Sequence, residues 1–286
     1  MPTDVFTVDV EDYYQGESFS DLVPRSHWEH YPSRLEANTR RLLDLCDECG
    51  VRGTFFVIGW VARKFPALVR EIVARGHEPG CHSLFHYPVY NLSRDEFRED
   101  TRQAKDAVEQ AAGQQVFGYR APSFSITRKA LWAFEELAAQ GFTYDSSVFS
   151  IRHDFYGIPD GPRRPSRIHT PSGDILEYPM STFRLIGNIN YPVGGGGYLR
   201  MMPEWYTRLG LSRCRKEGVP VIVYVHPWEL DPGQPRLPLS IKSRLRHYTN
   251  LDKTHGRLKN VLLGGKYSSF RDSGLAERAQ PYSFAA

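Results

Sequence analysis

Residues 53–86, GTFFVIGWVARKFPALVREIVARGHEPGCHSLFH, hold the fold in miniature. Gly53–Gly59 is an apolar run rich in aromatic and β-branched residues, which predicts a buried strand. Val61–Arg75 repeats apolar residues at helical spacing and closes on Gly76, a C-terminal stop for a helix. Glu78–His82 is short and extended. Working outward, Asp4–Val10 predicts a buried strand ending in acids. Leu35–Cys49 follows as an amphipathic helix on Leu35, Leu42, Leu43, Leu45 and Cys46, stopped by Gly50. Downstream, Ser93 and Glu96 form a capping-box pattern ahead of a helix over Asp95–Ala112. Val116–Tyr119 then reads as strand, Thr127–Gln140 as helix, Thr143–Asp145 as strand, Pro203–Glu217 as helix and Val219–Val225 as a very apolar strand.

This alternation predicts an α/β fold with a parallel, helix-covered sheet. Residues 150–200, rich in Pro, Gly and aromatics, read as a loop-rich insertion. Glu229–Pro238 reads as a proline-bounded loop. From about residue 241 a basic helical tail follows, with Leu245, Leu251, Leu258, Leu262 and Leu263 as its apolar positions. No linker or repeat divides the chain, so residues 1–286 are expected to form a single domain.

Composition narrows the function classes. The chain has 286 residues, 41% hydrophobic and 24% charged, and a net charge of +3 that implies no nucleic-acid footprint. The densest basic patch, Arg163, Arg164 and Arg167, reads as a solvated loop. No run approaches the roughly 18 apolar residues of a membrane span. Met1–Asp12 carries acids where a signal peptide needs a basic start, so a cytoplasmic location is expected. Cys46-x-x-Cys49 lies in a helix with no second such pair, and the four cysteines are expected to be reduced thiols.

Parallel α/β sheets place chemistry at the C-terminal ends of their strands. Four predicted strand ends carry it here: Asp9, Glu11 and Asp12; His82 and His86; Arg120; and His226. On a helical turn residues four apart share a face, so His82 and His86 could give two imidazoles to one cation. Alone, such a pair is equally two surface histidines, and acids at a strand end are equally a turn or helix cap. Gly194–Gly197 lacks the Lys-Ser/Thr of a phosphate loop and reads as a loop near the substrate. Tyr87, Trp228 and Tyr198 are candidates for stacking on sugar faces. Glu177 and Glu229 lie near strand ends and could line a groove.

In order along the chain, His82-Ser83-x-x-His86, Arg120-Ala121-Pro122, Tyr144-Asp145-Ser146-Ser147 and Val225-His226 resemble the motifs of the polysaccharide deacetylase family. This family is also called the NodB-homology or carbohydrate esterase 4 family. The opening Asp9-Val10-Glu11-Asp12-Tyr13-Tyr14 and the tail from Arg246 to Leu251 are similar to a branch associated with PEP-CTERM/exosortase exopolysaccharide loci.

The resemblance implies a distorted (β/α) barrel and a metal-dependent hydrolase. That enzyme would remove N-acetyl groups from amino sugars of a polysaccharide or its oligosaccharide or lipid-linked precursor. It implies a divalent ion, zinc first, with cobalt, nickel or manganese as other candidates, held by His82 and His86. It also implies His226 as general acid, Arg120 orienting the catalytic carboxylate, and Asp145 supporting the His226 imidazolium. The opening departs from the family's adjacent pair of aspartates. Asp9 as base with Glu11 or Asp12 as metal ligand competes with Glu11 as base and Asp12 as ligand. Two other readings stand beside this one: a C–N hydrolase of cyclic ureides or imides on the same fold, and an inactive carbohydrate-binding relative.

Overall fold

The computed structural model describes residues 4–284; residues 1–3 and 285–286, the ends of the expected 1–286 unit, lie outside it. Twelve strands are described: β1 Asp4–Val10, β2 Thr54–Val57, β3 Glu78–Cys81, β4 Gly118–Tyr119, β5 Tyr144–Asp145, β6 Ser166–Thr170, β7 Gly173–Glu177, β8 Thr182–Arg184, β9 Asn190–Pro192, β10 Ile222–Val225, β11 Tyr267–Ser268 and β12 Gln280–Pro281. The helices are α1 Leu35–Cys49, α2 Gly59–Lys64, α3 Pro66–Ala74, α4 Arg94–Ala112, α5 Ala133–Ala139, α6 Gly196–Met201, α7 Glu204–Lys216, α8 Ile241–Tyr248 and α9 Leu251–Leu263.

The large sheet runs β10-β1-β2-β3-β4-β5-β7-β6-β12, with β11 also paired to β1. Every pair from β10 to β7 is parallel, whereas β6 and β7 form an antiparallel hairpin. Beyond β7 the chain turns back towards β10. The Ile222 amide donates to Ser181 Oγ (2.6 Å), and the Tyr224 amide to Gly194 O (2.9 Å). The two sides of the sheet are thus joined by single hydrogen bonds rather than a full ladder, which is the distorted barrel expected.

Local chemistry explains the elements. Gly50 ends α1 in the left-handed conformation (φ 65°), where a side chain would be strained. Ser93 caps α4 with the full capping box: its hydroxyl accepts from the Glu96 amide, and the Glu96 carboxylate accepts from the Ser93 amide.

Three expectations are corrected. The helix over Val61–Arg75 is two helices, because Pro66 has no amide to donate and holds Phe65 out of helical geometry. Thr127–Gln140 yields a short 3-10 turn and then α5. Residues 150–200 are more than a loop insertion, since β7 lies parallel to β5 and extends the main sheet. In the tail, Leu251, Leu258 and Leu262 are buried as expected, but Leu245 and Leu263 are exposed.

Candidate active site

Asp9 lies within β1, and Glu11 follows its end, where the Glu11 amide turns back to donate to Asp9 O (3.0 Å). Asp9 is held by Arg120, at the end of β4, through Nη1–Oδ1 (2.8 Å). The buried guanidinium also donates to Thr7 Oγ1, Ser146 O and Ser146 Oγ, at 2.8 to 3.0 Å, and lies over the Phe56 ring. Multiple fixed donors leave Arg120 little freedom to move.

Glu11 sits between two imidazoles, with Oε2 3.1 Å from His86 Nε2 and Oε1 3.0 Å from His226 Nε2. Burial alone would raise its pKa; the neighbouring His86 and His226 outweigh that and hold it at about 2. Asp12 is not brought to the histidines, which corrects its place among the candidate metal ligands. Its Oδ1 accepts from the Tyr13 amide, and its Oδ2 from Ser33 Oγ and the Arg34 amide at the entrance of α1.

The segment from His82 to His86 is an irregular turn and not the helical one expected. Ser83 and His86 take left-handed conformations (φ 64° and 57°), uncommon for residues with a side chain. External bonds hold this shape: Arg25 donates to Phe85 O and His86 O, and the Leu84 amide donates to Asp100 Oδ2 of α4. The two rings still come together, with centroids 5.2 Å apart. His82 Nδ1 donates to Arg120 O (2.8 Å), leaving Nε2 as the atom with a free lone pair. Burial depresses the His82 pKa to about 4, so this ring is neutral at pH 7.

His226 follows β10. Because β10 pairs with β1 in the register Val8↔Val225, it stands beside the end of β1, with Nε2 3.8 Å from Asp9 Oδ2. Its Nδ1 is bonded to Glu229 Oε1 (2.7 Å), and Arg200 Nε of α6 donates to Glu229 Oε2 (2.5 Å). Burial would lower the His226 pKa, but Glu11, Glu229 and Asp9 together raise it to about 9, so the ring is an imidazolium at neutral pH. Trp228 stacks on His226, and His247 stacks on Trp228.

The acid behind His226 is therefore Glu229 and not Asp145, a second correction. Asp145 accepts from the Ser147 amide (2.9 Å) and Ser147 Oγ (2.6 Å), and Ser147 Oγ in turn accepts from the Ala121 amide. Asp145 thus braces the chain leaving Arg120, beside a buried Glu177 whose pKa is raised by burial and by Asp145 itself. Sequence reasoning missed the Glu229–Arg200 pair. A signal was present: Pro227 starts a turn that folds residue 229 back on residue 226.

Asp9, Glu11, His82, His86 and His226 share a cleft of about 750 Å³. Trp228 and Tyr198 line it, but Tyr87 does not, which corrects its place as a sugar-stacking residue: its ring lies against the Arg25 guanidinium. The glycine run cradles no phosphate. Gly195 packs so closely on β10 that a Cβ would lie 2.2 Å from the Tyr224 ring, and the run leads directly into α6 with Tyr198 and Arg200.

Among the described residues, no three His, Cys, Asp or Glu side chains stand as a ready-made metal cage. As donors, however, His82, His86 and Glu11 suit a divalent cation. His82 is fixed in the tautomer that frees Nε2, and the buried His86 Nδ1 has no hydrogen-bond partner.

An α/β sheet with carboxylates and imidazoles gathered at its strand ends defines a hydrolase-like centre. Residues 27–142 match the model of the polysaccharide deacetylase family, and residues 146–273 match a domain of unknown function (DUF3473). Residues 27–142 are thus similar to the polysaccharide deacetylases.

A peptidoglycan-N-acetylglucosamine deacetylase of Bacillus cereus is 31% identical over 99 residues, 34% of this chain and 36% of that protein. A chitooligosaccharide deacetylase of Sinorhizobium fredii is 35% identical over 85 residues, 29% of this chain and 40% of its own length. The chain thus spans well under half of these relatives. A solved structure from Mycobacterium smegmatis, provisionally assigned as a polysaccharide deacetylase, shares the fold: TM-score 0.65 at 18% identity, covering 99% of this chain and 95% of that one.

Proposed function

We propose that the protein hydrolyses N-acetyl groups from amino sugars of a glycan. One observation carries this reading: a carboxylate held by arginine (Asp9) and an imidazolium held by a carboxylate (His226) face each other in one cleft, beside a pair of imidazoles. His82, His86 and Glu11 would hold a divalent ion, zinc first among the candidates, which when bound supplies Lewis acidity towards water and the acetyl carbonyl.

The chain's own residues do the rest. Asp9, held in place by Arg120, takes a proton from the attacking water. His226 gives its Nε2 proton to the departing sugar amine as the amide C–N bond breaks. Glu229, anchored by Arg200, keeps His226 charged and oriented through Nδ1. Tyr198 offers an apolar face to the sugar, whereas the buried Trp228 ring is already stacked on His226 and His247 and braces the acid instead. We also read residues 4–284 as one folding unit, because one sheet runs from β10 to β12. The opening acids and the tail support placement in the exopolysaccharide-associated branch.

The test is acetate release from N-acetylglucosamine oligomers, with and without chelator, alongside metal analysis of the purified protein. Stoichiometric metal with chelator-sensitive release is expected. Metal without release from any glycan would favour an inactive carbohydrate-binding relative, and ring-opening hydrolysis of cyclic imides with no acetate from any glycan would favour the ureide-type reading.

A further inference from the structure

α8 turns its aliphatic side chains outward. His247 is buried, and Ser243 and Arg246 are half-buried against the cleft wall, so this side of the helix faces the body of the protein. On the opposite side Ile241 and Leu245, one turn apart, are 79% and 61% exposed. At 3.6 residues per turn, the exposed Lys242 and Arg244 fall on the two flanks of this strip.

One exposed leucine is ordinary, but a continued apolar rim is not. Phe155, Ile186, Ile189 and Trp205 are also exposed, all in the C-terminal half. The loop bearing Phe155 is tied to α8 by the Lys242–Asp154 ion pair (3.1 Å), and to the β8–β9 hairpin by Asn190 Nδ2 donating to Ser150 O (2.8 Å). Phe155 and Lys242 line the mouth of the catalytic cleft itself.

We propose that this rim, centred on α8, is a docking surface for an anionic lipid bilayer, and that it sets the cleft against a glycan held at a membrane. Charge complementarity selects the occupant. An aliphatic strip flanked on both sides by cations lets Ile241 and Leu245 enter the acyl boundary while Lys242 and Arg244 meet lipid phosphates. A second copy related by a two-fold axis would set this cationic strip against itself. The carboxylate facing the strip, Asp154, is already paired with Lys242, and both are exposed enough for that pair to exchange readily. The glycan half of the proposal rests on the deacetylase reading; the bilayer half does not.

The test is co-sedimentation of the full chain with phosphatidylcholine vesicles, with and without phosphatidylglycerol. Binding is expected only to the anionic vesicles, falling in about 0.5 M salt as charges are screened. Ile241→Glu with Leu245→Glu should cut the bound fraction about ten-fold or more. The same variant should release acetate from soluble oligomers at the unsubstituted rate. If the double variant loses its near-UV circular dichroism, Ile241→Ser replaces it.

The proposal is overturned if the unsubstituted protein ignores anionic vesicles or if the variant binds them equally. It is also overturned if light scattering shows a dimer that the variant abolishes. Absence of acetate release from every protein would overturn the deacetylase reading while leaving the vesicle result intact.

Discussion

The two halves of the molecule build the same centre in different ways. Up to β5, strands and helices alternate regularly, the strands are parallel neighbours, and side chains reach the cleft from strand ends: Asp9, Glu11, His82, His86 and Arg120. After β5 the chain reverses direction in the β6–β7 hairpin, crosses the sheet, and reaches the site through a 3-10 turn, a glycine-led helix and a stacked Trp228–His247 pair. On the proposed reading, the first half supplies the base and the candidate metal donors, and the second supplies the acid with the groups that tune it. A periodic scaffold fixes positions cheaply, whereas the irregular one brings Arg200 and Glu229, far apart in sequence, to bear on one proton.

This division can be broken at several points. The largest effect is expected from His226→Ala, which should lower turnover by about 10²- to 10⁴-fold while bound metal persists. His82→Ala should instead lose the metal. Metal analysis beside acetate release separates the two, and equal metal loss in both would erase the distinction between the halves.

Next is Glu229→Gln. Glu229 is one of the groups that raise the His226 pKa, so its removal should move the alkaline limit of activity to lower pH and cost turnover on the alkaline side. Asp145→Asn should leave that limb of the pH–rate profile in place. If it moved the limb as far as Glu229→Gln did, the assignment of Glu229 would fail.

For stability, Leu258→Ala on α9 should cost about 2–5 kcal/mol in denaturant unfolding, because the side chain is fully buried. The exposed Leu263→Ala should change little, within about 0.5 kcal/mol. Ser93→Ala should fall between these two, at about 1 kcal/mol for a lost helix cap. A larger loss there than at Leu258 would mean that the regular half is held by local signals more than by packing.

The same asymmetry explains what could be read from the chain. β1, α1 with its Gly50 stop, and the capped α4 follow from periodicity and end signals, and each appears at or within a residue of its expected bounds. His82 and His86 meet as expected although the turn that joins them is not a helix, since long-range bonds from Arg25 and Asp100 shape it. Which acid faces the histidines was left open by spacing, because it is set by the turn after β1 and by the bonds of Asp12 to Ser33 and Arg34. Glu229 was hidden because its role depends on Arg200, whose place is set by Gly195 packing on Tyr224. That Leu245 faces outward was not legible, because a helical apolar pattern does not say which side meets the protein.

The pairing of β10 with β1 carries one more consequence. Asp9 and His226, the proposed base and acid, stand opposite each other one step past the Val8–Val225 pair, although 217 positions separate them along the chain. A polypeptide still emerging from the ribosome short of residue 226 holds every group of the first half and yet lacks the proton donor. On the proposed reading, acid and base meet only once β10, at one end of the sheet order, has paired with β1, and a chain without that pairing has no acid with which to complete the cleavage.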